Sequence, residues 1–195
     1  MTSEVAGSGS SQLLRSLNGQ WHRAALNIFL FIVVAHWIEH LAQVFQIWVL
    51  GMPLPASKGA LGLVFPWLVT AEWLHYGYAL VMLIGLLLLR PGFTGSGRTW
   101  WTVALVIQFW HHIEHLLLFV QAQADVNFFG QQVPTSLVQL VIPRVELHLF
   151  YNAVVFIPMV IGMIMHRSRT PENLRLTSCS CVHRSRHTQP AGLAA

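Results

Sequence analysis

The stretch His36-Trp37-Ile38-Glu39-His40 decides how this chain is read, because 75 residues later it recurs as His111-His112-Ile113-Glu114-His115. Both copies of His-x-x-Glu-His lie inside long apolar runs. On an α-helix, positions i, i+3 and i+4 share a face, so each copy aims two imidazoles and a carboxylate the same way. The similarity extends past the motif. Residues 37–46 align with 112–121, ending on Gln46 and Gln121, and Glu72, His75 and Tyr78 answer Glu146, His148 and Tyr151 with a one-residue slip at the Glu. The pattern is that of an internal two-helix duplication.

Composition sets the medium. The chain is 54% apolar and 9% charged, against roughly 25% charged in ordinary soluble domains. Apolar segments at about 24–50, 64–89, 100–121 and 137–165 are each long enough to span a bilayer, which takes roughly 20 residues. The sequence therefore predicts an all-α, polytopic membrane protein. Residues 1–20 form a flexible or interfacial segment, 21–166 a four-helix transmembrane bundle, and 167–195 a basic, disordered tail. Nine arginines flank the segments on the side of both termini, with only Lys58 and Arg144 opposite. That asymmetry predicts both termini in the cytoplasm of a bacterial-type plasma membrane. Trp21, Trp48, Trp67, Trp100 and Trp101 fall near the boundaries, as headgroup anchors do. The net charge of +4 resides in loops and tails, which argues for topology rather than nucleic-acid binding.

Against that background the polar residues stand out. Glu39, Glu72, Glu114 and Glu146 lie in or beside apolar runs, as do His36, His40, His75, His111, His112, His115 and His148. One ionised carboxylate at mid-bilayer costs about 2.5–3.5 kcal/mol, and four cost roughly 10. Two divalent cations would neutralise four carboxylates. The expected metal ligands are His36, Glu39, His40, Glu72, His75, His111, Glu114, His115, Glu146 and His148. Gln43, Gln108, His112, Tyr78, Tyr151 and Asn152 are expected around them. At 1.5 Å rise per residue the groups on the first three spans share one level, displaced toward the outside. Glu146 and His148 join it only if the fourth helix begins upstream of Pro143. Being two apart, about 200° around a helix, they do not both face inward on a regular one.

The site type resembles the dinuclear carboxylate centres of ferritin-like bundles, though only Glu72/His75 has their Glu-x-x-His spacing. It is also similar to histidine-box membrane hydroxylases in its His-x-x-x-His pairs, His36/His40 and His111/His115, but their His-x-x-His-His box is absent. Nitrogen and oxygen ligands without cysteine suit iron, with manganese or zinc as alternatives. The function expected is that of a membrane oxidoreductase acting on a lipid-soluble substrate or quinone. Three other readings use the same residues: a metal-ion or proton transporter, a zinc-dependent membrane hydrolase, and a b-type haem protein, which would leave four carboxylates unexplained. In the tail, Cys179-x-Cys181 with His183 and His187 offers a further metal-binding set whose spacing is not that of a zinc finger.

Overall fold

A computed structural model describes residues 3–168 and 170–182. Among them the chain is helical with no strand, and four helices are long and apolar enough to cross a membrane. These are α2 (His22–Trp48), α5 (Glu72–Leu89), α6 (Gly95–Ala124) and α7 (Arg144–Arg167). They run alternately up and down, as short connections require. An amphipathic helix, α1 (Ser3–Asn18), precedes them where the sequence suggested a flexible or interfacial segment. Two one-turn helices, α3 (Leu61–Val64) and α4 (Pro66–Val69), lie in the first connection, and α8 (Pro171–Leu176) lies in the tail.

The ends of α2 and α5, and of α6 and α7, gather with the tail at one end of the bundle, here the tail end. The two long connections close the other, the loop end. The tail-end half is a dry core in which Leu26, Phe29, Met82, Leu86, Phe93, Trp101, Val155 and Met159 interlock. Trp101, expected at a boundary, is fully buried there, and its indole N–H donates to the Leu86 carbonyl at 2.8 Å. Trp21, Trp48 and Trp67 remain largely exposed, where an interface would hold them. α6 and α7 cross closely at Gly97 and Gly162. A Cβ added at Gly97 would sit 3.1 Å from the Gly162 carbonyl oxygen, so small residues set this crossing.

Two boundaries differ from the sequence reading. α5 starts at Glu72 rather than near 64, because Pro66 breaks the apolar run into α3 and α4. α7 starts at Arg144, directly after Pro143, with only a 3-10 turn (Val138–Leu140) upstream. Both helices thus begin partway through the bundle, and folded connections fill the loop-end half beside α2 and α6.

The duplication reappears in the contacts. Gln46 donates to the Gly59 carbonyl at 3.0 Å and accepts the Gly59 N–H at 2.9 Å. Gln121 donates to the Thr135 carbonyl at 2.9 Å and accepts the Thr135 N–H at 3.3 Å. Glu39 accepts the Leu61 N–H at 2.7 Å, and Glu114 accepts that of Val138 at 3.1 Å. Each half is a helix, a connection pinned by a Gln and a Glu, and a second helix. Gly59 allows the first connection its positive φ of 72°, and its missing Cβ leaves room for the Glu39 carboxylate.

A candidate metal centre at mid-bundle

Six imidazoles, drawn from all four long helices, meet where α5 and α7 begin. His36 and His40 come from α2, His75 from α5, His111 and His115 from α6, and His148 from α7. His36 and His40 share a hydrogen bond of 2.9 Å between their Nε2 atoms. His148 is the hub. Its ring centre lies 5.5 Å from that of His40, 5.2 Å from His115, 6.2 Å from His75 and 6.3 Å from His111. Imidazoles bound to one metal at about 2.0–2.1 Å have ring centres about 5 Å apart, which the His40 and His115 separations from His148 approach, while His75 and His111 stand about 1 Å farther out.

The second helix of each half orients its histidine in the same way. His75 donates Nδ1–H to the Ala71 carbonyl at 3.2 Å, and His148 donates Nδ1–H to the Arg144 carbonyl at 2.7 Å. Fixing the proton on Nδ1 leaves Nε2 bare, which is how ligating histidines are held. Nε2 of His148 is buried without a hydrogen-bond partner among the described residues, as is Nδ1 of His115. The halves match again at the flanks. His36 stacks on Tyr78 with ring centres 3.6 Å apart, and His111 stacks on Tyr151 at 4.5 Å.

The carboxylates do not follow the imidazoles. Glu39 is turned to the first connection by the Leu61 N–H. Glu72 forms a two-pronged ion pair with Arg144, at 2.6 and 2.7 Å. Glu146 is on the exposed face of α7, as its two-residue spacing from His148 requires. Glu114 Oε1 is buried and unpartnered among the described residues, and lines a cavity of about 10 Å³ with His111, His115, His148 and Tyr151. Of the four expected carboxylates, Glu114 is the one that lines this cavity among the described residues. The physical reason is backbone satisfaction. Connections folded into an apolar layer carry N–H groups that need acceptors, and Glu39 and Glu114 supply them.

The surrounding residues divide similarly. Gln43 pins the first connection through the Ser57 carbonyl at 2.9 Å, while Gln108 reaches the Ala79 carbonyl at 3.1 Å and Asn152 that of His148 at 2.9 Å. Tyr151 accepts the Trp110 N–H at 2.8 Å. His112 faces away and packs on Tyr76, with ring centres 5.3 Å apart. A second cavity of about 10 Å³ lies between Tyr78, Gln108, His111 and Asn152. Spaces of this size hold about one water or ion.

Among the described residues, the group whose ligand atoms all lie within 4.8 Å of one another is elsewhere, at the tail end: His22, His166, Cys179 and Cys181. In the sequence His22 and His166 each stand alone at the end of a span, with no spacing that marks them as ligands. The expected tail partners His183 and His187 lie outside the described residues. Comparison with known proteins returns no matching family model, no matching curated protein and no matching solved structure.

Proposed function

We propose that this membrane-embedded bundle is a metalloprotein whose mid-bundle imidazoles hold a redox-active transition metal serving an oxidoreductase. One observation carries the reading, the convergence of six histidines from four helices inside an apolar protein. Unpaired polar groups at such depth are costly, and a shared cation offsets that cost. Charge sets the number of ions. Glu72 is cancelled by Arg144 and Glu146 lies outside, so Glu39 and Glu114 balance one divalent ion rather than two. An imidazole-rich set with one carboxylate suits iron, and copper gains over the mixed set expected from sequence.

When bound, the metal supplies one-electron chemistry. The chain's residues hold and insulate it. His75 and His148 present bare Nε2 atoms, the Glu72–Arg144 pair locks the starts of α5 and α7 together, and Tyr78 and Tyr151 lie flat against the outermost imidazoles. Among the described residues an apolar core that includes Leu26, Phe29, Leu86 and Met159 lies between the mid-bundle imidazoles and the tail end, which weighs against the transport reading. A lipid-soluble reductant or quinone reaching the loop-end half from the bilayer fits this one-sided placement. The zinc hydrolase reading draws on a single observation: the free oxygen of Glu114 faces a space sized for one water. Arginine placement supports both termini in the cytoplasm, the more so because Arg144 is neutralised in its pair.

Elemental analysis of purified protein tests the reading. His40→Ala and His115→Ala are each expected to remove about one equivalent of metal, since each deletes a ligand and leaves its helix intact. A folded protein with the same metal content in both variants as in the parent would defeat it.

A further inference from the structure

We propose that His22, His166, Cys179 and Cys181 form a second metal site, a closed four-coordinate zinc centre that clasps the tail onto the bundle. His22 opens α2, His166 stands in the last turn of α7, and the cysteines lie in the turn after α8. His166 Nε2 is 3.3 Å from His22 Nδ1 and 3.2 Å from Cys179 Sγ, and Cys181 Sγ is 3.6 Å from His22 Nδ1. A tetrahedron with zinc–nitrogen bonds of about 2.0–2.1 Å and zinc–sulfur bonds of about 2.3 Å has edges of about 3.3 Å between nitrogens and about 3.6 Å from nitrogen to sulfur. The His22–His166 and His22–Cys181 edges have those lengths, and the His166–Cys179 edge, at 3.2 Å, is the shorter one.

The surroundings are built for it. His22, His166 and Cys179 are almost completely buried. His22 donates Nε2–H to the Leu89 carbonyl at 3.1 Å, leaving Nδ1 bare toward the sulfurs. Phe93 walls the site, its ring centre 5.4 Å from that of His22 and 4.5 Å from that of His166. Gly92 makes room, since a Cβ there would be driven into the His22 ring. The Ser180 N–H donates to the Gly19 carbonyl at 3.0 Å and the Arg23 N–H to Ser180 Oγ at 3.2 Å, which fixes the residue between the cysteines. Two thiolates and two neutral imidazoles cancel the charge of one zinc ion, so the closed site is neutral in its buried setting. The duplication does not produce this set: at the 75-residue offset of the repeated motif, Gly97 stands where His22 does. Four donors at closed geometry, with no open position, make the site structural rather than catalytic.

The test uses the full chain in detergent, with thiols reduced and metal stripped by a chelator, titrated with cobalt(II) alone as a coloured stand-in for zinc. One equivalent is expected to develop sulfur-to-cobalt charge transfer and the intense visible bands of tetrahedral cobalt, both abolished by zinc. The sulfur band is expected to vanish in Cys179→Ser/Cys181→Ser and to persist in His40→Ala/His115→Ala, which separates this site from the mid-bundle centre. Gly92→Ala is expected to weaken cobalt binding by about 10–100-fold, the range seen when a ligand's support is disturbed. Parent protein with two free thiols and no sulfur band overturns the proposal, as does a band surviving the double serine variant. Should the serine variant fail to fold, the parent alone decides. Zinc is expected to block alkylation of both thiols and a chelator to restore it, and equal alkylation with and without zinc overturns the site.

Discussion

His148→Ala is expected to empty the mid-bundle centre more completely than any other single substitution. Four of the other five imidazoles approach this ring, and its Nε2 is buried and bare. Loss of a supporting group costs about 10–100-fold in metal affinity, and loss of the shared ligand should exceed the upper end, more than about 100-fold. His112→Ala is the matched control, because His112 packs on Tyr76 outside the cluster. Metal content and affinity in the two variants, with helicity by circular dichroism confirming the fold, check this. Equal losses in both would mean that the two rings differ only in packing, and the centre would not be where the imidazoles meet.

The second large effect concerns stability. Glu72→Ala leaves the Arg144 guanidinium without its carboxylate at the start of α7, beside His75 and His148. Breaking a buried pair from one side costs about 3–5 kcal/mol. Arg144 and Glu72 keep 34% and 14% of their side chains exposed, so this part-buried pair falls below that range, at about 1–3 kcal/mol. Glu72→Ala/Arg144→Ala removes both charges and is expected to recover most of the loss. Thermal unfolding of the single and double variants in the same detergent gives the comparison. A double variant as unstable as the single would show that the pair contributes packing alone.

The imidazole half of the centre was legible in the sequence, because a repeated His-x-x-Glu-His inside apolar runs has few uses other than a shared ligand. The carboxylate half was not. Helical periodicity places Glu39 on the face of His36 and Glu114 on that of His111, but it carries no information on the connections folding back against them. Leu61 and Val138 present N–H groups there, and those claim the carboxylates. Glu72 and Arg144 are 72 residues apart, and their pairing follows from where α5 and α7 begin. Pro143 marks one of those starts, as its missing N–H dictates. His148 nevertheless reaches the cluster, since α5 and α7 both start at its level. At the tail end the cysteines were visible, but histidines nearby in the chain were the natural partners to expect. His22 lies 159 residues from Cys181, and only the closed bundle shows that pairing.

That separation bears on the order of assembly. A growing chain commits its first membrane helix long before its last residues are made, so His22 enters with its Nδ1 facing nothing that will bind it. His166 arrives with the fourth helix, and the two thiols emerge only afterwards. A chain halted before residue 179 therefore keeps the His22–His166 contact but lacks those that Cys179 and Cys181 add to it. The tail turn thus joins the start of α2 to the end of α7 only once residues 179–181 have been made.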